Sequence, residues 1–224
     1  MARVRSTSTD RAAIGPAPSE SRGGQGARRE EIGPNAVTQL YAALRRADLE
    51  PLALPIFTRA GVADWLAAPP VAMVSERRVA ALHRQVRAAL PPGQARRVMA
   101  DAGRLTADYL LANRIPRPVG IVLKLLPPRL AAPILVGAIR SHAWTFAGSG
   151  RFSARAGMPT VLEIAGNPLC VGETAVETVC AWHAAVFQRL FEVLVSRTAN
   201  VTQTDCEAAG GCCCRFQVRW GNRA

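Results

Sequence analysis

The cysteines carry the most evident chemistry in this 224-residue chain, because four of the six lie in the stretch CEAAGGCCCRF, residues 206–216. Cys206 and Cys214 flank a turn that contains two glycines, so their side chains can converge across a hairpin. Cys180 lies on the apolar face of the preceding predicted helix. Three thiolates that converge from a helix and a hairpin suit zinc, which binds four ligands at tetrahedral geometry. A structural zinc site is therefore one hypothesis for these residues.

The fourth ligand of such a site is open at this stage. His183 follows Cys180 at i+3 on the same helix face, and Gln203, Asp205 and Glu207 lie nearby in the sequence. Core packing is the alternative for the thiols themselves, because a free buried cysteine behaves as a small hydrophobic side chain.

Two other uses of the cysteines are disfavoured. The N-terminal stretch MARVRSTSTDRAAIGPAPSES has no apolar segment typical of a secretory signal, and the cytosol keeps thiols reduced, so a disulfide framework is not expected. Cys212, Cys213 and Cys214 are contiguous and cannot all point at one iron–sulfur cluster. A glycine-rich dinucleotide fingerprint after a strand is also missing. We expect a cytoplasmic protein without its own redox centre.

An aromatic stretch, HAWTFAGSG, suggests a second kind of site. In an extended strand, His142, Trp144 and Phe146 would share one face, because side chains alternate between the two faces. Such a face would pack into the core or line a pocket for a large flat ligand, with His142 or His183 as an axial ligand or hydrogen-bond donor. The third histidine, His83, lies in an arginine-rich helix, where we expect solvent exposure.

The charge of the chain is strongly positive, with a formal net charge of +12, and its distribution is uneven. From Arg77 to Arg140 there are twelve basic residues and two acidic ones. This stretch predicts contact with an anionic membrane surface, an acidic partner or a carboxylate-bearing ligand, and solvated helix faces are the alternative. No nucleic-acid-binding motif accompanies the charge. The most apolar segment, Val119 to Ile139, is broken by Lys124 and by prolines, which favours two short helices over one membrane span.

The front half of the chain is predicted to be helical after a disordered tail at residues 1–30. A helix capped by Asn35 places Val37, Leu40, Tyr41 and Leu44 on one face. Two longer helices follow, and we expect them to turn one set of apolar residues inward: Val79, Leu82, Val86 and Leu90 after a cap at Ser75, then Val98, Met99, Ala102, Leu105, Tyr109 and Leu110.

The back half predicts strands around one long helix. Aromatic and β-branched residues alternate here with glycine-rich turns, which indicates short antiparallel strands at 143–148, 151–156 and 159–164. A helix at about 174–198 would bury one broad apolar face, and two more strands would follow at NVTQTDC and CRFQVRW. That face consists of Val176, Val179, Cys180, His183, Phe187, Leu190, Phe191 and Leu194. The predicted fold class is α+β, with a helical N-terminal half and then an antiparallel sheet packed on a long helix. We expect the helical region, 31–142, and the core, 143–220, to form one folded unit.

Five segments of the chain resemble a known family. IGPNAVTQL, HAWTFAGSG, EIAGNPLC, CAWHAAVFQRLF and CEAAGGCCCRF together resemble the 4-vinyl reductase domain family, in particular its bacterial members that serve bacteriochlorophyll biosynthesis and photosynthesis. The resemblance covers about Glu31 to Trp220. It implies a ligand-binding α+β fold related to haem nitric-oxide sensors and to a Golgi transport subunit. It also implies zinc on Cys180, Cys206 and Cys214, whereas the family's glutamate ligand falls on Gln203, so that His183, Glu207 or water would have to replace it.

The resemblance also implies a function. The expected ligand is a divinyl Mg-tetrapyrrole such as protochlorophyllide, which the protein would bind or deliver, with His142, Trp144, Phe146 and His183 as candidate contacts. The expected partners are other bacteriochlorophyll biosynthesis enzymes, with peripheral contact at the inner or photosynthetic membrane and no nucleic acid. The alternative function is reduction of the 8-vinyl group (position 4 in older numbering), which would need an external electron donor.

Overall fold

The computed structural model describes residues 30–221, so the predicted tail lies almost entirely outside the described residues. The first part is helical and also contains two short strands that pair with each other, β1 (Glu31–Ile32) and β2 (Val74–Ser75). The helices are α1 (Asn35–Arg46), α2 (Ala53–Arg59), α3 (Asp64–Ala67), α4 (Glu76–Ala89), α5 (Pro92–Asn113), α6 (Arg117–Leu125), α7 (Pro128–Ser141) and α8 (Trp144–Ala147).

The second part is an antiparallel sheet packed on a long helix, α9 (Ala181–Leu194). Its strands are β3 (Arg151–Arg155), β4 (Thr160–Ala165), β5 (Asn200–Asp205) and β6 (Cys214–Arg219), in the order β3-β4-β6-β5. Alternate residues of β4 and β6 are buried, and the ring of Phe216 on β6 lies 5.3 Å from that of Phe187 on α9. The predicted α+β fold class is confirmed.

The helical predictions succeed where apolar periodicity is strong. The buried face of α4 includes Val79, Leu82 and Val86, as the 3.6-residue spacing predicts, and Ser75 occupies the N-cap position. Helix α1 begins at Asn35, but its N-cap is Pro34, so the predicted cap is wrong by one residue. The segment from 119 to 139 forms two helices, α6 and α7, and no helix within residues 30–221 is long and apolar enough to cross a bilayer.

Helix α9 packs against α5 at unusually close range. A Cβ atom added to Gly103 of α5 would lie 2.3 Å from the carbonyl oxygen of Trp182 and 2.9 Å from the Cβ of Ala185. Only a residue without a side chain permits this contact. The crossing of α5 and α9 joins the helical part to the sheet, because α9 also packs against β5.

The predicted strand at 143–148 is wrong. Residues Trp144–Ala147 form the short helix α8, whose amides at Phe146 and Ala147 both donate to the carbonyl of Ala143. The hydroxyl of Thr145 donates to the carbonyl of His142 at 2.8 Å and stabilises the turn. Because α7 ends directly before it, the chain keeps a helical course here and becomes extended only at β3.

Two further predictions from the sequence are wrong. The helix expected at 174–198 begins only at Ala181, and Val176, predicted on its buried face, is fully exposed. The amide of Ala175 instead donates to the carbonyl of Ala208, which holds the preceding segment as a loop. His83 is also buried rather than solvated, with 1% exposure, and its Nε2 lies 2.9 Å from the carbonyl oxygen of Ala36 on α1.

Candidate metal centre and aromatic interior

Four cysteine sulfurs meet in one buried cluster, at Cys170, Cys180, Cys206 and Cys214, and all four Sγ atoms lie within 4.8 Å of one another. The Sγ atom of Cys180 is 3.3 Å from that of Cys214, 3.4 Å from that of Cys170 and 3.9 Å from that of Cys206. Four sulfurs on one tetrahedral zinc ion, at about 2.3 Å from it, would lie about 3.8 Å apart. Each cysteine is a free thiol that is at most 5% exposed. The cluster therefore has the number, spacing and burial of a set of metal ligands.

Each of the four clustered cysteines lies at the end of a different element. Cys170 closes a 3₁₀ turn, Pro168–Cys170, that follows β4, and Cys180 is the N-cap residue of α9. Cys206 follows β5, and Cys214 opens β6. A metal bound here would tie the N-terminus of α9 to the β5–β6 hairpin and to the loop that follows β4.

A carboxylate and an amide position the loop that carries Cys170. The carboxylate of Glu207 accepts hydrogen bonds from the backbone amides of Gly166 and Asn167, at 2.6 and 2.7 Å. The side chain of Asn167 is fully buried; its Oδ1 accepts from the amide of Leu169, and its Nδ2 donates to the Sγ of Cys180 at 3.5 Å. These contacts give the loop its shape and supply a donor to one sulfur.

Two arginines of α4 hold the segment after Cys170. Arg84 donates to the carbonyl of Val171 at 2.7 Å, and Nε of Arg87 donates to the carboxylate of Glu173 at 2.7 Å in a mostly buried ion pair. Part of the basic stretch noted in the sequence therefore positions the loops around the cysteine centre.

The structure brings the three predicted cysteines together and adds Cys170, which the sequence analysis did not select. The candidates considered for a fourth ligand make other contacts. Gln203 accepts from the amide of Cys180 at 3.3 Å, and Asp205 accepts from the amide of Cys206 at 3.0 Å. Glu207 holds the loop described above, and His183 packs among aromatic rings. The available signal for Cys170 was its place in the segment EIAGNPLC, ten residues before Cys180.

The electrostatics of the cluster favour a cation. Hydrogen bonds from the neighbouring thiols, Cys170 first, lower the pKa of Cys206 and of Cys214, whereas hydrogen bonding to Cys170 and burial raise the pKa of Cys180. Four thiols this close share their protons, and full deprotonation would bury several negative charges without compensation. A divalent soft cation provides that compensation, and thiolate sulfur is a ligand that zinc prefers.

The other two cysteines form a separate group at the edge of the sheet. The Sγ atoms of Cys212 and Cys213 lie 3.9 Å apart, next to the carboxylate of Asp205. Arg215 donates to the sulfur of Cys213 and pairs with Glu163 through a 2.6 Å contact. Cys212 is exposed, so this group lacks the enclosure of the four-cysteine centre.

An aromatic interior lies between α8, α9 and the sheet. The imidazole of His183, 1% exposed, is surrounded by the rings of Phe146, Phe187 and Phe216, with centroids 6.2 to 6.4 Å away. Its Nε2 lies 3.4 Å from the carbonyl oxygen of Phe146, and burial lowers its pKa to about 4. Its Nδ1 is buried without a hydrogen-bond partner, as is the indole Nε1 of Trp182. Such unsatisfied buried polar atoms are rare in folded proteins.

The predicted common face of His142, Trp144 and Phe146 does not form. Phe146 points inward, with its ring 5.3 Å from that of Phe152 and 5.8 Å from that of Phe187. His142 is exposed and hydrogen-bonds within its own helical turn, and Trp144 is 47% exposed. Because α8 is helical rather than extended, its aromatic rings lie on different sides of the backbone.

Two contacts hold α8 over this interior. The carboxylate of Glu76, at the start of α4, accepts from the amide and the hydroxyl of Ser149, at 2.7 and 2.6 Å. The amide of Gly33 donates to the carbonyl of Thr145 at 2.7 Å. Gly148, between these contacts, has φ +55°, and an added Cβ would lie 2.1 Å from the Glu76 carboxylate. The helix is thus anchored at both ends by the helical part of the chain.

Two comparisons concern the domain type and the fold of this chain. The V4R domain model matches residues 160–220, which include the sheet strands β4 to β6 and all four clustered cysteines. The whole fold is similar to a crystal structure of an H-NOX protein from S. oneidensis in the Fe(II)NO ligation state, with a TM-score of 0.54 and 10% identity. That similarity covers 85% of this chain and 100% of the H-NOX chain, and it concerns the fold alone.

Two relatives then identify the family. The bacteriochlorophyll synthase 23 kDa chain of Cereibacter sphaeroides is 43% identical over 187 residues, covering 84% of this chain and 89% of the relative. The protein of the same name from Rhodobacter capsulatus is 37% identical over 186 residues, covering 83% and 85%. The chain belongs to the family of bacteriochlorophyll synthase 23 kDa chains. These matches confirm the resemblance to the 4-vinyl reductase domain family. They also confirm the more specific resemblance to its member named bacteriochlorophyll biosynthesis protein J.

Proposed function

We propose that this protein binds a divinyl Mg-tetrapyrrole intermediate and presents it to other enzymes of bacteriochlorophyll biosynthesis. The family supports involvement in that pathway. The relatives are named as a 23 kDa chain of a synthase, and this name supports a role for the present protein as an accessory chain that acts beside other enzymes. The observation that carries the choice of ligand is the aromatic interior around His183.

The aromatic interior fits a large flat pigment chemically. Ring faces of Phe146, Phe187 and Phe216 offer apolar contact, and His183 offers an imidazole nitrogen, Nδ1, that has no hydrogen-bond partner. A neutral imidazole nitrogen is a suitable ligand or hydrogen-bond partner for a metal-bearing macrocycle. The low pKa of His183 keeps the imidazole neutral at pH 7.

Access to this interior would come through α8. Phe146 covers His183, and the helix that carries Phe146 has only four residues and also carries the half-exposed Trp144. Displacement of α8 would uncover His183 and Phe187 without disturbing the crossing of α5 and α9. Under this proposal Trp144 meets the pigment at the entrance, and His142 lies beside it on the surface.

We further propose that the four-cysteine centre holds a structural zinc ion. The four buried sulfurs and the donor from Asn167 support a closed site, because structural zinc has no open position. The zinc would fix the N-terminus of α9, three residues before His183. Its role would be to position the wall of the pigment site, not to take part in chemistry.

Pigment titration tests the proposal. Adding divinyl protochlorophyllide to the full-length protein should shift the pigment's absorption bands and quench tryptophan fluorescence, and a Trp144→Phe variant should lose much of that quenching. His183→Phe, which keeps an aromatic ring but removes both nitrogens, should weaken binding by about 30-fold, the equivalent of a 2 kcal/mol hot spot.

A matched variant separates pigment contact from general damage. Phe191→Leu alters another buried ring on α9, one that stacks on Trp220 outside the interior, and it should leave pigment affinity unchanged. Absence of both the band shift and the quenching in the wild-type protein would overturn the proposal. Equal weakening by His183→Phe and Phe191→Leu would place the pigment elsewhere.

The alternative function, vinyl reduction, has its own outcome in the same system. Protein, divinyl pigment and either NADPH or reduced ferredoxin are incubated together, and the products are separated by chromatography. A reductase would convert the vinyl to an ethyl group by taking two electrons from that donor and two protons. Conversion above a control without protein would replace the delivery role with a catalytic one.

A further inference from the structure

Helix α6 exposes a stripe of large apolar side chains. Only Leu123 is buried among its residues, whereas Ile121, Val122 and Leu125 are 58%, 54% and 77% exposed. These three positions lie on one side of the helix at i, i+1 and i+4. A surface helix of a globular protein normally turns polar residues outward, so this orientation requires a partner or an apolar environment.

Helix α7 repeats the arrangement. It buries Ala132, Leu135 and Val136 against the core, and the opposite side exposes Leu130 and Ile134, at 57% and 50%. The spacing of i and i+4 again aligns the exposed pair. Val119 of α6 is also exposed, at 45%. We refer to these exposed residues of both helices as the α6–α7 apolar face: Val119, Ile121, Val122, Leu125, Leu130 and Ile134.

Cations accompany this face without any acidic residue near it in the sequence. Residues 109–162 contain seven basic residues and no aspartate or glutamate. Arg117 and Lys124, spaced i and i+7, lie along the edge of the α6 stripe, and Arg129 lies beside Leu130 at the start of α7. Apolar side chains edged by cations are typical of helices that lie in the headgroup region of an anionic membrane.

A basic cavity adjoins the face at Lys124. It has a volume of about 510 Å³ and is lined by Lys124, Arg189, Glu192, Val193 and Arg197. The lining has three cations and one carboxylate, and Arg189 also pairs with Asp108 outside the lining, which leaves an excess of one cation at neutral pH. A lipid phosphate could therefore be held beside the apolar stripe.

We propose that the α6–α7 apolar face is the surface by which this protein lies on an anionic lipid bilayer. Charge selects this occupant over the chain's own N-terminal segment, since residues 1–29 contain six arginines and two acidic residues and would be repelled by the cationic edge. The contact is interfacial: α6 and α7 enter the headgroup layer with their apolar stripes. It is independent of pigment binding, because α8 and the buried His183 lie outside the α6–α7 apolar face.

Vesicle flotation tests the proposal with the full-length, metal-loaded protein. The protein should float with vesicles of phosphatidylglycerol and phosphatidylcholine in low salt, and not with phosphatidylcholine alone. Leu125→Glu combined with Ile134→Glu should reduce binding by at least about tenfold, since each loses the burial of a large apolar side chain. Arg117→Gln should reduce binding by about fivefold, the worth of one cation near an anionic surface.

Matched variants on α2 control for exposure and charge. Leu54→Glu replaces a leucine that is 62% exposed, and Arg59→Gln removes an exposed arginine. Acidic residues, Glu50 and Asp64, lie close to these two positions in the sequence. Neither variant should alter vesicle binding. Circular dichroism and metal content confirm folding of every variant. Protein that stays unbound, or floats equally after Leu125→Glu with Ile134→Glu, overturns the proposal. A concentration-dependent dimer that the same double variant dissolves, without vesicle binding, assigns the face to a second copy instead and also overturns it.

Discussion

Helix α9 is attached to the rest of the molecule by two different devices. At its N-cap, Cys180 joins sulfurs from three separate loops and strand ends, spread over residues 170–214. Along its first turns, Trp182 and Ala185 pack against Gly103 of α5 at a distance that only glycine allows. Under the proposed zinc site, the first attachment depends on a metal ion, whereas the second depends on shape alone.

The difference bears on what each part of the molecule requires to fold. The α5–α9 crossing belongs to a continuous hydrophobic core that also includes α1 and α4, so it forms through burial of apolar surface. The cysteine loops add only a few apolar side chains to this core besides their thiols, among them Leu169 and Ala208. We therefore expect removal of the metal to loosen the N-terminus of α9 and its loops while the helical core remains folded.

The largest expected effect is at the cysteine centre. Cys170→Ser should remove the bound zinc, because a hydroxyl is a poor replacement for a thiolate, and should lower the free energy of unfolding by about 4 kcal/mol, the contribution of a ligand present at 1,000 times its Kd. The melting temperature should fall, yet the cooperative transition of the core should persist. Elemental analysis and thermal unfolding, with and without chelator, measure both effects.

Cys212→Ser is the matched control for that experiment. Cys212 is exposed and outside the four-sulfur cluster, so its loss should leave about one zinc per chain and change stability by less than about 0.5 kcal/mol. Retention of full zinc by Cys170→Ser would restrict the centre to three cysteines. Complete unfolding on chelation would show that the core cannot form without the metal.

The second prediction tests the close packing of Gly103 on α5 against α9. Gly103→Ala should destabilise the protein by about 3 kcal/mol, the upper part of the range for overpacking, because the obstructing atom is a backbone carbonyl that cannot rotate away. Zinc content should stay unchanged. Gly137→Ala on α7 is the control, since its added Cβ meets nothing within 4 Å, and it should stabilise slightly through helix propensity. Equal stability of the two variants, measured in urea, would contradict the close packing.

The smallest effect concerns pH and again separates the core from the metal centre. Burial, with a small contribution from Arg87, lowers the pKa of His83 to about 3. Between that value and 6.5 the unfolded chain binds a proton that the folded chain does not, so stability is full above pH 6.5 and falls as the pH drops. The loss through His83 should reach about 2 kcal/mol at pH 5.

His83→Gln should flatten this pH dependence, since its amide can still donate to the carbonyl of Ala36. His183, whose pKa is also lowered, adds a slope of the same sign that both proteins share, so the difference between them isolates His83. Urea unfolding of both proteins at pH 5 and pH 7, in the presence of chelator, excludes loss of metal as the cause. Parallel pH profiles would mean that His83 is protonated in the folded state.

The sequence by itself determined the parts of the protein that rest on local periodicity. Apolar spacing placed α4 and α5, β-branched and aromatic residues between turn residues placed β3 and β4, and the double glycine placed the hairpin of β5 and β6. The same hairpin brought Cys206 and Cys214 together. These features depend on neighbours within a few residues, so the pattern of the chain contains them.

Only the tertiary structure decided the rest. Cys170 joins the centre because Glu207 binds the amide of Asn167 in its loop, although the two residues are 40 positions apart in the chain. No rule of sequence spacing predicts that contact. His83 is buried because α1 and α9 cover it, although its own helix is rich in arginine. Residues 144–147 are helical because Glu76 and Gly33 anchor that turn, which overrides the strand preference of its aromatic residues. In each case a long-range contact outweighs a local propensity worth less than about 1 kcal/mol per residue.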